Sequence, residues 1–272
     1  MRLRLKLKIL NCNKLNINYY YPLSAAIYKL LQFGSPEFSE FLHEIGFSYA
    51  TKTYKLFTFA LRFKEFRAKY NVITLFDKKV DLYISSPLIN DFIKNFVIGS
   101  FQEQQIEISS DGIKTTFIIE QMETLPEPQF RERTKFIMYS PLVLSKNINY
   151  YNYHEQYYLR YYDSMQEINR IFNINLKNKY RLIYGKDYSG EDIKLEWDNS
   201  YIERMEIKQK RVTKKIRLRS YTKENKKVNV DVIGNQLPFF LTGNHELIKV
   251  GYDSGYGEKN SSLGCGLAEV VK

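Results

Sequence analysis

Two side chains sit where a folded core does not need them. Leu23, Ala26, Ile27, Leu30 and Leu31 follow helical spacing after Pro22, a favoured first-turn residue, and Gly34 ends the run. Tyr28 lies five residues after Leu23. At ~100° per residue that is the margin of the apolar stripe, not its centre. Ser35-Pro36 opens a second helix with Phe38, Phe41, Leu42 and Ile45 as its stripe and Gly46 as its stop. His43, five residues after Phe38, takes the same marginal place. Histidine exchanges protons near neutral pH, a contribution of ~10²–10⁴-fold when positioned. A lone histidine in a helix's last turn also serves as a plain partner for the helix dipole, so position alone leaves both roles open. His154 and His245 have no such setting and read as structural or surface residues.

A second constellation lies near the other end. Residues 251–266 carry five of the thirteen glycines: Gly251, Gly255, Gly257, Gly264 and Gly266. Glycine lets backbone reach positive φ and approach a ligand, and successive exposed N–H groups make a concavity that suits a phosphate. Lys249 and Lys259 lie close by in sequence. The plain alternative is a tight loop feeding a last strand, Leu267 to Val271. No strand followed by a long helix frames the stretch as a dinucleotide site requires.

These residues need elements to position them. The chain has 272 residues, enough for about two domains. Lys plus Arg is 41 against 30 acids, a net charge of +11. The excess is local. Residues 1–14 hold five bases and no acid, and residues 204–227 hold eleven bases against Glu206 and Glu224. Localised positive charge points to a polyanion partner. Two cysteines, Cys12 and Cys265, make no disulfide framework, and three histidines give no zinc-ligand spacing. No structural metal and no cofactor are expected. No apolar run approaches a membrane span, and the charged N-terminus is unlike a signal peptide, so a cytoplasmic protein with no membrane partner is expected.

Along the chain, residues 2–9 alternate Leu3, Leu5, Leu7 and Ile9 with Arg2, Arg4, Lys6 and Lys8. Period two predicts a strand with one cationic face, either solvated or ligand-facing. Strands are predicted over 54–63, 70–76 and 80–85. Ser86-Pro87 caps a third helix with Ile89, Phe92, Ile93, Phe96 and Val97 inward and Gly99 at its end. A hairpin turns at Asp111-Gly112. Pro126-Glu-Pro128 reads as a linker. Beyond it come a strand over 135–144, broken by Pro141, and a long helix over 153–172. Its stripe is Tyr158, Tyr161, Met165, Ile168 and Phe172. A hairpin around 203–221 and a strand near 228–233 follow; 237–247 resists assignment. Asn16-Ile-Asn-Tyr-Tyr20 recurs as Asn147-Ile-Asn-Tyr-Tyr151 at an equivalent place in each half. The expected fold class is α+β: two similar domains, 1–127 and 128–272, each an antiparallel sheet with helices on one face.

Read as a hairpin, 204–221 turns Met205, Ile207, Val212, Ile216 and Leu218 inward. Lys208, Lys210, Lys215, Arg217 and Arg219 then share the outer face. Such a row can track a phosphate backbone. Arg and the abundant tyrosines also suit stacking on unpaired bases, although Tyr150 to Tyr162 fit core and helix flank better.

Four segments carry a family resemblance: Pro22-Leu-Ser-Ala-Ala-Ile-Tyr28-Lys-Leu-Leu, Phe41-Leu-His43-Glu-Ile-Gly46, Lys55-Leu-Phe-Thr-Phe-Ala60, and the glycine stretch with Gly255-Tyr-Gly257-Glu-Lys-Asn-Ser closing on Gly264-Cys-Gly266. In these the chain resembles the CRISPR-associated endoribonucleases that process repeat RNA (the Cas-six type), within the RAMP superfamily of tandem ferredoxin-like, RRM-like folds. The resemblance implies metal-independent cleavage of the repeat in precursor CRISPR RNA by 2′-hydroxyl attack. The products are a 2′,3′-cyclic phosphate and a 5′-hydroxyl. It carries a catalytic set onto Tyr28, His43 and Lys55: His43 for proton transfer, Tyr28 to orient the ribose or assist as base, Lys55 to stabilise negative charge. Lys52 is the alternative lysine. Gly255, Gly257, Lys259, Gly264 and Gly266 would touch RNA or the cleft wall.

Two departures stand out. Six residues separate Gly257 from Gly264 where the more familiar form has five, so Ser261 or Ser262 is inserted. Cys265 replaces an aromatic or aliphatic residue. The implied partners are CRISPR repeat RNA and a CRISPR effector complex, with the protein as monomer or homodimer. The competing reading is a non-catalytic RNA-binding subunit of an effector complex, which would have no need of Tyr28, His43 and a lysine together.

Overall fold

A computed structural model describes residues 1–50, 52–149, 154–221 and 227–271. The chain divides into two compact units. Unit 1 holds Met1–Glu127 with Asn260–Gly264; unit 2 holds Pro128–Lys259 with Cys265–Lys272. The turn Asn260–Gly264, which the sequence places inside the second domain, thus belongs with the first unit. No helix among the described residues is long and apolar enough to cross a membrane.

Unit 1 begins with β1 (Arg2–Ile9) and a short β2 (Lys14–Asn16), then α1 (Tyr20–Gly34) and α2 (Pro36–Glu40). Residues Phe41–Ile45 continue α2 as a π-helical turn. There follow β3 (Phe47–Tyr49), β4 (Lys52–Tyr54), β5 (Thr58–Phe63), β6 (Phe66–Lys69), β7 (Val72–Leu75) and β8 (Lys79–Ser85). A second π turn, Ile89–Ile93, leads into α3 (Lys94–Glu103), and β9 (Gln105–Ser110) and β10 (Ile113–Leu125) close the unit. Five strands form one antiparallel sheet in the order β5-β8-β1-β10-β9. With β9 set aside, β1-α1-β5-β8-α3-β10 is the βαββαβ path of a ferredoxin-like fold.

The alternation in residues 2–9 is what makes β1 central: Leu3, Leu5, Leu7 and Ile9 are buried. Its cationic face is met by polar and acidic side chains of the flanking strands. Arg4 pairs with Asp81 and Glu123, Lys8 with Glu120, and Lys6 donates to Gln121, all on the flanking strands. Cross-strand neutralisation is the rule where opposite charges face each other in a ladder.

Gly34 ends α1 as expected, whereas Gly99, expected to end the third helix, lies inside α3; both also serve the packing of the two helices. A Cβ on Gly99 would lie 1.8 Å from the Leu30 carbonyl oxygen, and one on Gly34 1.9 Å from that of Asn95. They are the points where α1 and α3 touch backbone to backbone, and α3 runs past Gly99 to Glu103. Ile89, expected inward, is 48% exposed, because it starts the second π turn. The strand expected over 54–63 breaks at Leu56, whose φ is 52°. The one over 70–76 is β7, preceded by a turn at Tyr70-Asn71, both with positive φ, that joins it to β6. The Asp111-Gly112 turn is as expected, with φ of 51° and 77°.

Unit 2 runs β11 (Arg133–Met138), β12 (Ser145–Asn149), β13 (His154–Tyr158), α4 (Met165–Tyr184), β14 (Lys194–Trp197) and α5 (Asn199–Ile207). Then come β15 (Thr213–Tyr221), β16 (Lys227–Asn235), β17 (Phe239–Thr242), α6 (His245–Ser254) and β18 (Ala268–Val270). Its main sheet is ordered β14-β17-β11-β18, so β11-α4-β14-β17-α6-β18 repeats the βαββαβ path. Phe136, Phe172, Phe239 and Tyr256 meet ring to ring in its core.

Here the sequence reading errs most. Residues 154–158, expected in the long helix, form a hairpin strand with β12, and 150–153 lie outside the described residues. The helix is α4, twelve residues later. Its stripe was masked by polar residues with inward tasks. Asn169 donates to and accepts from the backbone of Leu195 in β14, and Asn173 does the same with Ile193 just before it. β14 is an edge strand, and these amides satisfy N–H and C=O groups that a further strand would otherwise take. The Asn16 and Asn147 echoes also differ. The first passes from β2 into α1, whereas Asn147–Asn149 lies within β12. The likeness of the halves rests on topology.

Candidate active site

The proton-transfer candidate owes its position to a local irregularity. Ser35 caps α2, its hydroxyl accepting from the Phe38 amide at 3.2 Å, with Pro36 in the first turn. After Glu40 the helix widens, so that the Gly46 amide reaches the Phe41 carbonyl at 2.8 Å, five residues back. Single π turns of this kind rotate the residues they contain relative to an α-helical frame. Leu42 stays buried, while Ile45, expected inward, is 62% exposed, and His43 faces solvent. Ser39 ties α2 to α1 by donating to the Tyr28 carbonyl at 3.2 Å.

Tyr28 on α1 and His43 meet edge to face with ring centroids 5.2 Å apart. The phenol ring makes a second edge contact with Phe57, at 5.7 Å. Lys55 lies between β4 and β5 and donates to the His43 carbonyl at 2.8 Å. Gly46, with φ of 63°, leaves room for it: a Cβ there would lie 2.7 Å from the lysine Cδ. The three side chains line one cleft of about 600 Å³ in unit 1, together with Ser24, Glu44 and Ser261. Lys52 is on the exposed β3–β4 hairpin and is not among the residues of the cleft.

The electrostatics differ among the three. Burial pushes the Tyr28 hydroxyl well above its usual range, with the Ser261 side chain working the other way. Tyr28 is therefore a neutral phenol at physiological pH. Burial also pulls the Lys55 ammonium below its usual range, with Glu44 acting in the opposite direction. The His43 Nδ1 lies 2.6 Å from Glu44 Oε1. That contact occupies one ring nitrogen and leaves Nε2 for exchange with a substrate. Glu44, Ser24 and Ser261 escape a reading of types and spacing, because each acts through a contact rather than a motif. The extra residue expected at Ser261 or Ser262 was the sequence signal nearest to it.

The glycine stretch is built differently from an open phosphate cradle. Gly251 lies inside α6, with the Tyr256 ring where its Cβ would be. Residues 251–257 and 263–268 are buried. Lys179, itself 1% exposed, donates to the Gly255 and Gly257 carbonyls at 2.6 and 2.8 Å. Gly257, with φ of 71°, abuts the Val143 carbonyl, and the Gly266 amide and carbonyl bond to Pro141 and Tyr256. Gly264, with φ of 63°, packs on Phe59. These glycines serve the protein's own close packing; Lys259 alone of the predicted set in this stretch keeps a partly exposed side chain. Burial pushes the Cys265 thiol up to about 12, with Lys214 and Lys259 working the other way.

The basic window is likewise not one hairpin face. Residues 199–207 form α5, capped by Asp198, which accepts from the Tyr201 amide at 3.1 Å. Lys208 ends that helix, Lys210 follows in a loop, and Ile207, expected inward, is 82% exposed. Only from Thr213 does the strand begin. Lys215 and Arg217 share its outer face, and both pair with Asp231 on β16, at 2.6 and 3.0 Å. The side chain of Arg219 lies outside the described residues. In unit 1, by contrast, Lys14 and Arg67 stand opposite Thr74 from either side on one face of the small sheet β2-β7-β6, with Lys69 beside them. All three are exposed, and no ion pair ties Lys14 or Arg67 to a carboxylate among the described residues.

Two βαββαβ units in tandem, with a tyrosine, a histidine and a lysine gathered in one cleft of the first, define a RAMP-type, double ferredoxin-like protein. Two family models extend this over the chain: "CRISPR-associated protein Cas6, N-terminal" matches residues 14–123, and "CRISPR associated protein Cas6, C-terminal" residues 125–270. The chain belongs to the Cas6 family. It is 28% identical over 274 aligned positions to a Methanocaldococcus jannaschii protein named CRISPR-associated endoribonuclease Cas6 1, covering 100% of this chain and 93% of that one. A Pyrococcus furiosus protein named CRISPR-associated endoribonuclease Cas6 is 24% identical, over 94% of this chain and 84% of its own. A solved structure described as CRISPR associated protein Cas6 superposes with a TM-score of 0.72 at 26% identity, covering 100% and 99% of the two chains. Another, described as a RAMP protein binding different RNA substrates, shares the fold with a TM-score of 0.77 at 19% identity over 100% of each chain.

Proposed function

We propose that this chain is an endoribonuclease of CRISPR RNA processing, which cleaves within the repeat of the precursor to yield guide RNA. The observation that carries the reading is the convergence of Tyr28, His43 and Lys55 on one cleft. The chemistry needs a base for a ribose 2′-hydroxyl, an acid for the leaving oxygen and positive charge for the phosphorane. Neutral His43 takes the 2′-hydroxyl proton on Nε2 while Glu44 holds Nδ1. The 2′-oxygen bonds to the adjacent phosphorus and the bond to the 5′-oxygen breaks. Lys55, whose hold on its proton burial weakens, protonates that oxygen and offsets the charge on the phosphate. Tyr28 stays a neutral phenol, so its part is to orient the ribose or phosphate by donating a hydrogen bond rather than to act as base. The products are a 2′,3′-cyclic phosphate and a 5′-hydroxyl, and no step calls on a metal ion.

Labelled repeat RNA incubated with the protein in EDTA tests this. Cleavage should persist in the chelator and vanish when the scissile nucleotide carries a 2′-deoxyribose. A metal requirement would overturn the scheme; tight binding with no cleavage at all would favour the non-catalytic subunit.

RNA binding adds a second expectation. Cations already neutralised by a neighbour release fewer counterions from a phosphate backbone. Lys14→Glu with Arg67→Glu should weaken binding and flatten its salt dependence, the logarithmic slope falling by about one for each phosphate no longer neutralised. Lys215→Ala with Arg217→Ala should do less, since Asp231 faces both. Equal losses from the two pairs, read by filter binding across a salt series, would show that this pairing does not matter.

A further inference from the structure

Three tyrosines stand at the start of α1, and only the last of them turns outward. Tyr19 and Tyr20 are buried, their rings stacked with centroids 4.4 Å apart. Tyr21 is 61% exposed and lines the same cleft as Tyr28, His43 and Lys55. Among the described residues no hydrogen bond or ring contact occupies it. Its phenol face is left to water at the edge of a substrate-sized cleft.

The register of α1 puts that face in line with the catalytic candidates. Tyr21, Ala25, Tyr28 and Gln32 fall at i, i+4, i+7 and i+11, a single stripe at ~100° per residue, and all four line the cleft. On that stripe only the methyl group of Ala25 stands between the two tyrosines. The carboxylates of the lining, Glu40 and Glu44, belong instead to α2 and its π turn. A polyanion in the cleft therefore runs more favourably along α1 than along α2. The turn Asn260–Leu263 completes the α1 side: Ser24 donates to the Ser261 carbonyl at 2.7 Å, and Ser261 and Ser262 join the lining.

An exposed phenol ring gains by covering its face with another flat ring. Every nucleobase offers one, so such stacking tolerates any sequence but needs a base free of its pairing partner. Tyr21 lies seven residues from Tyr28, ~10 Å along the helix. At ~3.4 Å per stacked nucleotide that is about three nucleotides, and fewer for a more extended strand.

We infer that Tyr21 is a substrate-binding residue that stacks on an unpaired base within about three nucleotides of the scissile phosphate, so that the RNA lies in the cleft as a single strand along α1. The inference rests on the RNA-cleaving reading of the cleft, and it names the form of RNA that the cleft accepts.

Repeat RNA with a 2′-deoxyribose at the scissile nucleotide and a single 2-aminopurine tests it. The fluorescent base is placed in turn at each nucleotide within three of the mapped cut. At one of these positions its emission in the complex should be quenched by the unaltered protein and by Tyr21→Phe, and be severalfold brighter with Tyr21→Leu. Tyr21→Leu should bind repeat RNA about tenfold more weakly, the loss for one base stack. Cleavage at subsaturating protein should fall by the same factor, and the melting temperature should not move. Tyr21→Phe, which keeps the ring and drops the hydroxyl, should bind as the unaltered protein does. Equal brightness with Tyr21→Leu at every position, or undiminished binding by that variant, would overturn the inference. Either outcome, beside a His43→Ala variant that does not cleave, leaves the reading of the cleft standing. Unimpaired cleavage by His43→Ala would instead take the reading away.

Discussion

His43→Ala should lower the single-turnover cleavage rate by about 10²–10⁴-fold, the range for a positioned proton-transfer group. RNA affinity and thermal stability should stay close to those of the unaltered protein. The asymmetry follows from the setting. His43 is exposed and its side chain carries no core packing, and surface substitutions away from structural features cost no more than about 0.5 kcal/mol. Its contact with Glu44 is an exposed pair, which contributes little to folding. A large rate loss with an unchanged melt therefore separates a chemical role from a structural one. Unimpaired cleavage would remove His43 from the mechanism.

The second large effect is on stability. Lys179→Met should destabilise the protein by about 3 kcal/mol. Lys179 is fully buried on α4, and its ammonium donates to two carbonyls, those of Gly255 and Gly257. Methionine fills similar volume but leaves both oxygens without that donor, at about 1–3 kcal/mol each. Against a total of ~5–15 kcal/mol for a domain, that is a large fraction. Denaturant unfolding reads it as a lower midpoint at unchanged slope. Unaltered stability would mean that the carbonyls find other donors and that the buried ammonium is replaceable by apolar packing.

Much of the fold was legible locally. Strict alternation over 2–9 foretold a half-buried strand, the 3.6-residue stripe foretold α1, and Asp111-Gly112 foretold its hairpin. These signals work because each is complete within a few neighbouring residues. Where the reading failed, distant residues had taken over. The stripe of α4 is interrupted by Asn169 and Asn173, which only the edge of β14 explains. Residues 204–207 look like a strand by alternation, yet Asp198 caps them into α5. A π turn cannot be read from spacing, since it changes the spacing, and so Ile45 was misplaced.

The same division runs through the candidate site. The amino-acid sequence by itself determined which side chains are candidates for chemistry: a histidine and a tyrosine off the apolar stripes, a lysine in the next segment, glycines clustered near residue 260, and an excess of positive charge. Only the tertiary structure decided what each one meets. It brought Ser261 to Ser24 across 237 positions of chain and set Lys55, not Lys52, in the cleft. It also turned a cationic strand face into a row of ion pairs and buried the glycines that composition alone would leave open to a phosphate. The physical reason is common to all of these. Residue type and periodicity are properties of a short stretch, whereas burial, pairing and hydrogen-bond direction belong to whichever elements pack against it.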